Sequence, residues 1–432
     1  MAEFQVDGTR PRSSLRTALA IVAAMLIASP AVAGVSAPER CLAGVDFNGD
    51  GKADLLFEGT GGAAAGSTRT VMMDGVTLLS QGFFSTGGGA WPYGSAGDTN
   101  DDGRTDLLGV GEGVGAEGYF RIELLDIDGT GVDDTGYLAS GGGAWENPEL
   151  VGCTTIHKDP DASVQDLNGD GQADVVTIGA TGSAGEGFWR LQVMNASGVG
   201  SENQGFVANG GGAWELRDSA DFNGDGRGDL VSEGGVGTGA EGYLRIDIID
   251  TDGTGVDSQG FLAMGGGAWE FLDTGDTNGD GRADTLQLGA EGSSADGFLR
   301  IQLTNEGGTT VGSSSYLPAG GGAWVLAAFE DMNDDGRDDL IWVGQVGTGA
   351  ENLLRIQIID DTGLAVESQG FESITGYTFL DVIDTDGNGR ADLVLYTDDD
   401  VEIRMTESDG ISFGDTGTVT RGAGGVWMPV SP

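Results

Sequence analysis

DFNGDGRGDLVSEG, residues 221–234, joins an acidic loop to an apolar run, and this 432-residue chain repeats that junction seven times. The loop reads Asp-x-Asn-x-Asp-Gly-x-x-Asp. It recurs as DFNGDGKAD from Asp46, DTNDDGRTD from Asp98, DLNGDGQAD from Asp166, DTNGDGRAD from Asp276 and DMNDDGRDD from Asp331, with a variant, DTDGNGRAD, from Asp384. Successive first Asp residues lie 52, 68, 55, 55, 55 and 53 positions apart. A fixed period of this length marks a repeat architecture.

Alternate positions of a tight loop aim oxygen at one centre. The candidate ligands are Asp46, Asn48, Asp50 and Asp54 in the first loop, then Asp98, Asn100, Asp102 and Asp106 in the second. The third offers Asp166, Asn168, Asp170 and Asp174, and the fourth Asp221, Asn223, Asp225 and Asp229. Asp276, Asn278, Asp280 and Asp284 follow in the fifth, and Asp331, Asn333, Asp335 and Asp339 in the sixth. The seventh swaps two types but keeps the count, with Asp384, Asp386, Asn388 and Asp392. Position 7 can add a backbone carbonyl, so its side chain is free to vary. Position 6 is always Gly, where the chain turns sharply and a positive φ is expected. Hard oxygen donors in a flexible loop suit Ca²⁺ better than Mg²⁺, and up to seven Ca²⁺ are expected. No His or Cys lies in any loop, which argues against Zn²⁺ and copper. The bland alternative is a set of metal-free Asx turns.

The spacing copies the first nine positions of an EF-hand, yet the twelfth positions carry no acid, and a strand-like run follows where a second helix would stand. Each unit then continues with a Gly-rich turn, a strand containing Arg, an acidic turn, a third strand such as QGFVANGGGAW and a Gly-rich bend. Seven positions separate Trp91, Trp214, Trp269 and Trp324 from the next loop, enough for a fourth strand leading into it. From Trp145 the step is 21, an insertion of 14 residues. Four short antiparallel strands in about 55 residues fit one propeller blade, so the fold class is all-β, a seven-bladed β-propeller over residues 34–432. A β-solenoid is the alternative. The last segment, Gly424 to Val430, is expected to return beside the N-terminal strand and close the ring.

The loop and its apolar strand resemble the FG-GAP, or VCBS, repeat of the calcium-binding propeller in integrin α chains, over nearly the whole chain beyond residue 33. That resemblance implies calcium ligands at the first, third, fifth and ninth loop positions. The combination of a GF strand, a Gly-Gly-Trp bend and a calcium-type loop is also similar to the seven-bladed fungal lectins of the Psathyrella type. Those bind N-acetylglucosamine between blades. They follow Gly-Gly-Trp with a basic, His-containing segment, where this chain has WEFLDTGD or WELRDSAD.

Residues 1–33 read as a secretory signal: Arg10, Arg12 and Arg16, an apolar run from Thr17 to Ala28, then Ala31-Val32-Ala33. The run is too short to span a bilayer, so the expected location is secreted or extracellular, with periplasm or cell surface possible. The whole chain carries a formal charge of −49; the signal contributes +1, leaving −50 for the rest. Such charge argues against nucleic acid as a partner. It also predicts a fold that depends on calcium, because unneutralised loops repel themselves open. The two cysteines, Cys41 and Cys153, are expected to form a disulfide in an oxidising compartment.

Trp91, Trp145, Trp214, Trp269 and Trp324 either offer a ring face to a sugar or wedge between blades beside their glycines. Arg69, Arg121, Arg190, Arg245, Arg300, Arg355 and Arg404 recur in the second strands. An acid often precedes them by four residues (Glu117, Glu186, Glu241, Asp296, Glu351), which reads as a structural ion pair, with binding of an acidic sugar as the alternative. Catalysis has little support: the one His, His157, lies in the insertion, and no G-x-S-x-G elbow appears. The chain therefore reads as a non-enzymatic recognition module for an extracellular protein or glycan. A propeller-scaffold polysaccharide-active enzyme and a purely structural surface protein are the other classes.

Overall fold

The structure, a computed structural model, describes residues 45–59, 64–85, 87, 91, 93–112, 115–141, 145–150, 166–421 and 427–429. The expected signal peptide, both cysteines and the insertion carrying His157 lie outside the described residues.

Seven four-stranded antiparallel sheets form seven blades. Blade 4 shows the plan: Trp214–Ala220, Asp229–Gly234, Tyr243–Ile249 and Val256–Ala263 pair in that order. Burial sets the direction. The first strand is half-buried, the second and third are almost wholly buried, and the fourth exposes alternate residues. The Trp-led strand is thus innermost and the Gln-Gly-Phe strand forms the outer edge. Inner strands of neighbouring blades contact one another around the axis.

Seven hydrophobic clusters hold the blades together, and each spans one blade-to-blade interface. Leu167, Val176, Trp189 and Leu191 of blade 3 meet Leu230 and Ile249 of blade 4 in one of them. Apolar residues on both faces of the middle strands make this possible, since successive side chains point to opposite sides of a sheet. Every blade is packed on two sides and only the ring as a whole buries them all.

The blade boundary differs from the sequence expectation in one respect. The Trp-led strand pairs with the strand after the acidic loop, Trp214 opposite Gly234 and Ala220 opposite Asp229, and so belongs to the following blade. The loop is therefore an internal hairpin connection, between inner and second strand. Blade 1 takes its inner strand from the other end of the chain: Trp427–Pro429 pairs antiparallel with Leu55–Gly59, Gly59 opposite Trp427. This is the ring closure expected of the C-terminal segment.

Strand direction sorts the connections onto two faces. The acidic loops share one face with the turns between third and outer strands. The Gly-rich connectors between blades share the opposite face with the turns between second and third strands.

Candidate functional site

Each acidic loop is built by its own side chains. In the fourth, Asp221 Oδ1 accepts from the Gly224 amide and Oδ2 from the Gly226 amide, both at 2.7 Å. Asn223 Oδ1 accepts from the Asp225 amide at 3.0 Å, and Asp225 Oδ1 from the Arg227 amide at 3.1 Å. Asp229 lies deepest: Oδ2 accepts from the Phe222 amide at 3.1 Å and Oδ1 from the Ile249 amide, in the third strand, at 2.8 Å. The ninth-position Asp therefore ties the loop to the blade. The sixth-position glycines all have positive φ, from 76° to 88°. A feature the sequence reading missed is that position 4 does too: Gly49, Gly169, Gly224, Gly279 and Gly387, but also Asp101 at 57° and Asp334 at 62°. Only Gly and Asp occupy that place, which is the signal that could have revealed it.

The first, third, fifth and ninth residues come together in every loop. In the seventh, carboxylate oxygens of Asp384, Asp386 and Asp392 all lie within 4.8 Å of one another. The other six loops have Asn where Asp386 stands, so an amide takes that place. Burial pushes Asp54, Asp174 and Asp229 up to about 8 against the pull of backbone amides, and Asp106 and Asp284 to about 7 and Asp392 to about 6 against the hydroxyls of Thr99, Thr277 and Thr385 first and backbone amides next. The first-position carboxyls are raised as well, by burial first, then by the neighbouring fifth-position carboxylate in Asp46, Asp98, Asp221, Asp276 and Asp331. Clustered carboxylates that are costly to ionise together form a donor set a divalent cation would offset. The set is oxygen only; Asp221 Oδ1 already accepts from the Asn223, Gly224 and Asp225 amides, but Asp221 Oδ2, with only the Gly226 amide, and both Asp229 oxygens, with one N–H each, keep a second lone pair. The residues thus fit Ca²⁺. Fifth-position Asp also pairs with seventh-position Arg where one is present, as Arg227 with Asp225 at 2.5 Å.

The repeated Trp lies on the opposite face. Trp91, Trp214, Trp269 and Trp324 are half-buried. Each lies across its own blade toward the outer-strand aromatic: Trp214 to Phe261 at 5.6 Å between ring centroids, Trp269 to Tyr316 at 5.4 Å, Trp324 to Phe371 at 5.9 Å and Trp91 to Tyr137 at 5.6 Å. The guanidinium of the repeated Arg sits over the same indole, 4.7 Å from the ring in Arg300–Trp269 and 5.0 Å in Arg355–Trp324. Nothing is described of the Trp145 side chain. The aromatic partners are well exposed, Phe261 at 53% and Tyr316 at 56%. The adjoining connector, Gly210 to Gly212, has three successive positive φ values of 69°, 71° and 82°. Gly211 and Gly212 face open space. Indole, guanidinium and outer-strand ring thus form a cation–π layer on one blade, beside the bare backbone of the connector that arrives from the preceding blade.

The Arg expectation needs correcting. Glu186, Glu241, Asp296 and Glu351 accept from the amides of Gly182, Gly237, Gly292 and Gly347, four residues upstream, and so close the turn before the third strand. Six of the arginines are buried and Arg404 is half-buried, and six of the seven are seen to reach the preceding blade. Arg69 donates to the Thr420 carbonyl, Arg190 to Ala139, Arg245 to Ala208, Arg300 to Ala263, Arg355 to Ala319 and Arg404 to Ser373. Arg121 and Arg245 pair with an acid two residues on in the same strand, Glu123 at 3.1 Å and Asp247 at 2.5 Å, and Arg404 pairs with Glu402 and with Glu372 of the preceding blade. Desolvation lowers Arg190 and Arg355 to about 10.

No protein-family model matches this chain, and no curated protein matches it. Among solved structures, a lectin from Agrocybe aegerita, titled for its recognition of non-reducing terminal N-acetylglucosamine, aligns with a TM-score of 0.59 and 17% identity, covering 88% of this chain and 94% of that one. A protein from Lactobacillus plantarum aligns at 0.48 with 12% identity, covering 85% and 96%. A dihydro-heme d1 dehydrogenase aligns at 0.43 with 12% identity, covering 95% and 85%. The lectin likeness shows the propeller fold. Among the described residues no helix is long and apolar enough to cross a membrane.

Proposed function

We propose that this chain is a secreted, calcium-stabilised propeller of the FG-GAP type that binds glycans at repeated grooves between blades. The observation that carries the reading is the layer of buried Arg, half-buried Trp and exposed Tyr or Phe, repeated in blades 2, 4, 5 and 6. Sugar rings present C–H faces that stack on aromatic rings. A buried guanidinium beneath the indole fixes its orientation in advance, which limits the ordering cost of binding. The bare Gly connector lets backbone amides approach a ligand. A non-reducing terminal N-acetylglucosamine is the first ligand to test, because a propeller of like fold is described as recognising it.

Calcium would act on the other face. Positions 1, 3, 5 and 9 of each loop would hold it, and its charge would offset the clustered carboxylates. The role is structural, with binding left to the grooves. Repeated weak sites on one face suit multivalent surfaces. No residue set is assigned to catalysis.

A glycan array probed with calcium-loaded protein, and again after EDTA, tests this. Binding of terminal N-acetylglucosamine that weakens in a Trp214→Ala, Trp269→Ala, Trp324→Ala variant supports it. Absence of any glycan binding by folded, calcium-loaded protein would favour a protein partner or a structural role.

A further inference from the structure

The seven acidic loops are joined into a closed hydrogen-bonded ring. In each, the backbone amide at position 8 donates to the carbonyl oxygen of the first-position Asp in the loop before it. The bonds run Thr105 to Asp46, Ala173 to Asp98, Gly228 to Asp166, Ala283 to Asp221, Asp338 to Asp276, Ala391 to Asp331 and Ala53 to Asp384, all between 2.5 and 2.9 Å. Two junctions are reciprocal: the Asp46 amide donates to Thr105 Oγ1 at 2.9 Å, and the Asp276 amide to Asp338 Oδ2 at 2.7 Å.

A second contact runs in the same direction. The turn between third and outer strand of each blade lays a glycine of positive φ on positions 2 and 3 of the preceding loop. A Cβ on Gly253 would lie 3.0 Å from Asn168 Cβ, one on Gly198 2.7 Å from Asn100 Cβ and one on Gly363 2.7 Å from Asn278 Cβ. Gly75 continues the pattern across the closure, donating to the Thr385 carbonyl at 2.7 Å. Every loop thus has its first-position Asp held through its carbonyl by the next blade, and a glycine of that blade packs on position 2 or 3: on Phe47 and Phe222 in the first and fourth loops and on the position-3 side chain in the others. The clamping amide stands between positions 7 and 9 of the neighbouring loop, the places that supply its own last two donors.

We propose that position 8 of each loop is a positioning residue for the cation site of the loop before it, so that calcium sites are filled cooperatively around the ring. This rests on the calcium reading above. Ordering one loop fixes position 8, which presets the first ligand of its neighbour and removes part of that neighbour's ordering cost. The coupling is reciprocal, and the Ala53–Asp384 bond carries it from the last loop to the first.

The test uses calcium alone on EDTA-stripped protein, followed by titration calorimetry and amide hydrogen exchange. The wild type is expected to bind with a Hill coefficient of about 2 or more. Ala283→Pro removes the donor to Asp221 and keeps all ligands of loops four and five. It should lower calcium protection of the Gly224 and Gly226 amides by about tenfold or more. Should that variant fail to fold, Asp280→Asn, which alters only the fifth loop, is expected to produce the same loss in the fourth. Calcium binding with a Hill coefficient of 1, and full protection of the fourth loop in either variant, overturns the coupling while leaving calcium binding intact. No heat and no change in exchange in the wild type overturns both.

Discussion

Arg69 of blade 1 donates through Nη1 to the carbonyl oxygen of Thr420 in blade 7, 2.7 Å away across 351 residues of sequence. The same guanidinium lies 5.0 Å from the Phe57 ring. The bond spans the interface where the chain's two ends meet, and the inner strand there is only three residues long. Arg69→Ala should therefore destabilise the ring by about 2–3 kcal/mol, because it leaves a carbonyl unpaired and opens a cavity. Arg217→Ala, which removes an exposed partner of Glu215 and Glu233, should cost less than about 1 kcal/mol. Denaturant melts of both would check the contrast, and equal losses would contradict a special role for Arg69.

The ninth-position carboxyls give a pH dependence with a definite sign. Their folded values, up to about 8 in Asp54, Asp174 and Asp229 and about 6 in Asp392, lie above the unfolded value of 3.8. A raised carboxyl binds its proton more tightly when folded. Its contribution is fully present below about pH 4 and is lost as pH rises through 6 to 8. EDTA-treated protein should thus melt several degrees lower at pH 8 than at pH 6. Calcium should erase most of that difference, by neutralising the same groups. Melting curves with a calcium-independent slope would count against the loops as cation sites.

Removing calcium should also leave the chain salt-sensitive. With −50 on residues 34–432, loop-to-loop repulsion falls as ionic strength shortens the Debye length to about 3 Å at 1 M. High NaCl should recover part of the melting temperature lost to EDTA and change the calcium-loaded form little. A calcium-loaded form that gains as much would point to a general charge effect.

Much of this was legible because it is local. The loop residues come together within nine positions, and the apolar runs after them, such as DLVSEG and DLIWVG, are buried strands. The blade boundary was hidden because Trp214–Ala220 carries the polar residues Glu215, Arg217 and Asp218 and reads as neither core nor edge. Its partner is set by the hairpin that the acidic loop makes. The Arg role was misread for a geometric reason. Four residues is a helical spacing, and Glu241 precedes its strand, where each residue advances about 3.3 Å. The true partners, Trp214 and the Ala208 carbonyl, lie on other strands. The ring of position-8 bonds was illegible because backbone atoms make it, and residue identity at that place varies from Thr105 to Gly228 and Asp338.

The outer-strand aromatics allow binding to be separated from packing. Tyr316 is 56% exposed and lies 5.4 Å from Trp269. Tyr316→Ala should cost less than about 1 kcal/mol in stability, since little area is buried. If the groove binds sugar, the same change should weaken that blade's site severalfold. Avidity makes one lost site hard to see, so the measurement is monovalent N-acetylglucosamine titrated by tryptophan fluorescence. Unchanged binding with unchanged stability would remove Tyr316 from the site.

Glycines of the loop face should separate backbone strain from crowding. At Gly281, with φ of 76° and open space around a Cβ, Gly281→Ala should cost about 1–2 kcal/mol from the left-handed backbone alone. At Gly253, a Cβ would also lie 2.9 Å from Val193 Cγ2 and 3.0 Å from Asn168 Cβ, so Gly253→Ala should cost more and loosen the third loop as well. Gly224→Asp should be the mildest of the three, because Asp101 and Asp334 occupy the equivalent place with φ of 57° and 62°. Its Cβ would stand 3.2 Å from Arg282 Cγ, the flexible stem of a side chain that can shift. Chemical melts at saturating calcium would rank the three. A Gly224→Asp loss as large as that of Gly253→Ala would mean that the contact with the next loop, and not the left-handed backbone, decides which residues position 4 accepts.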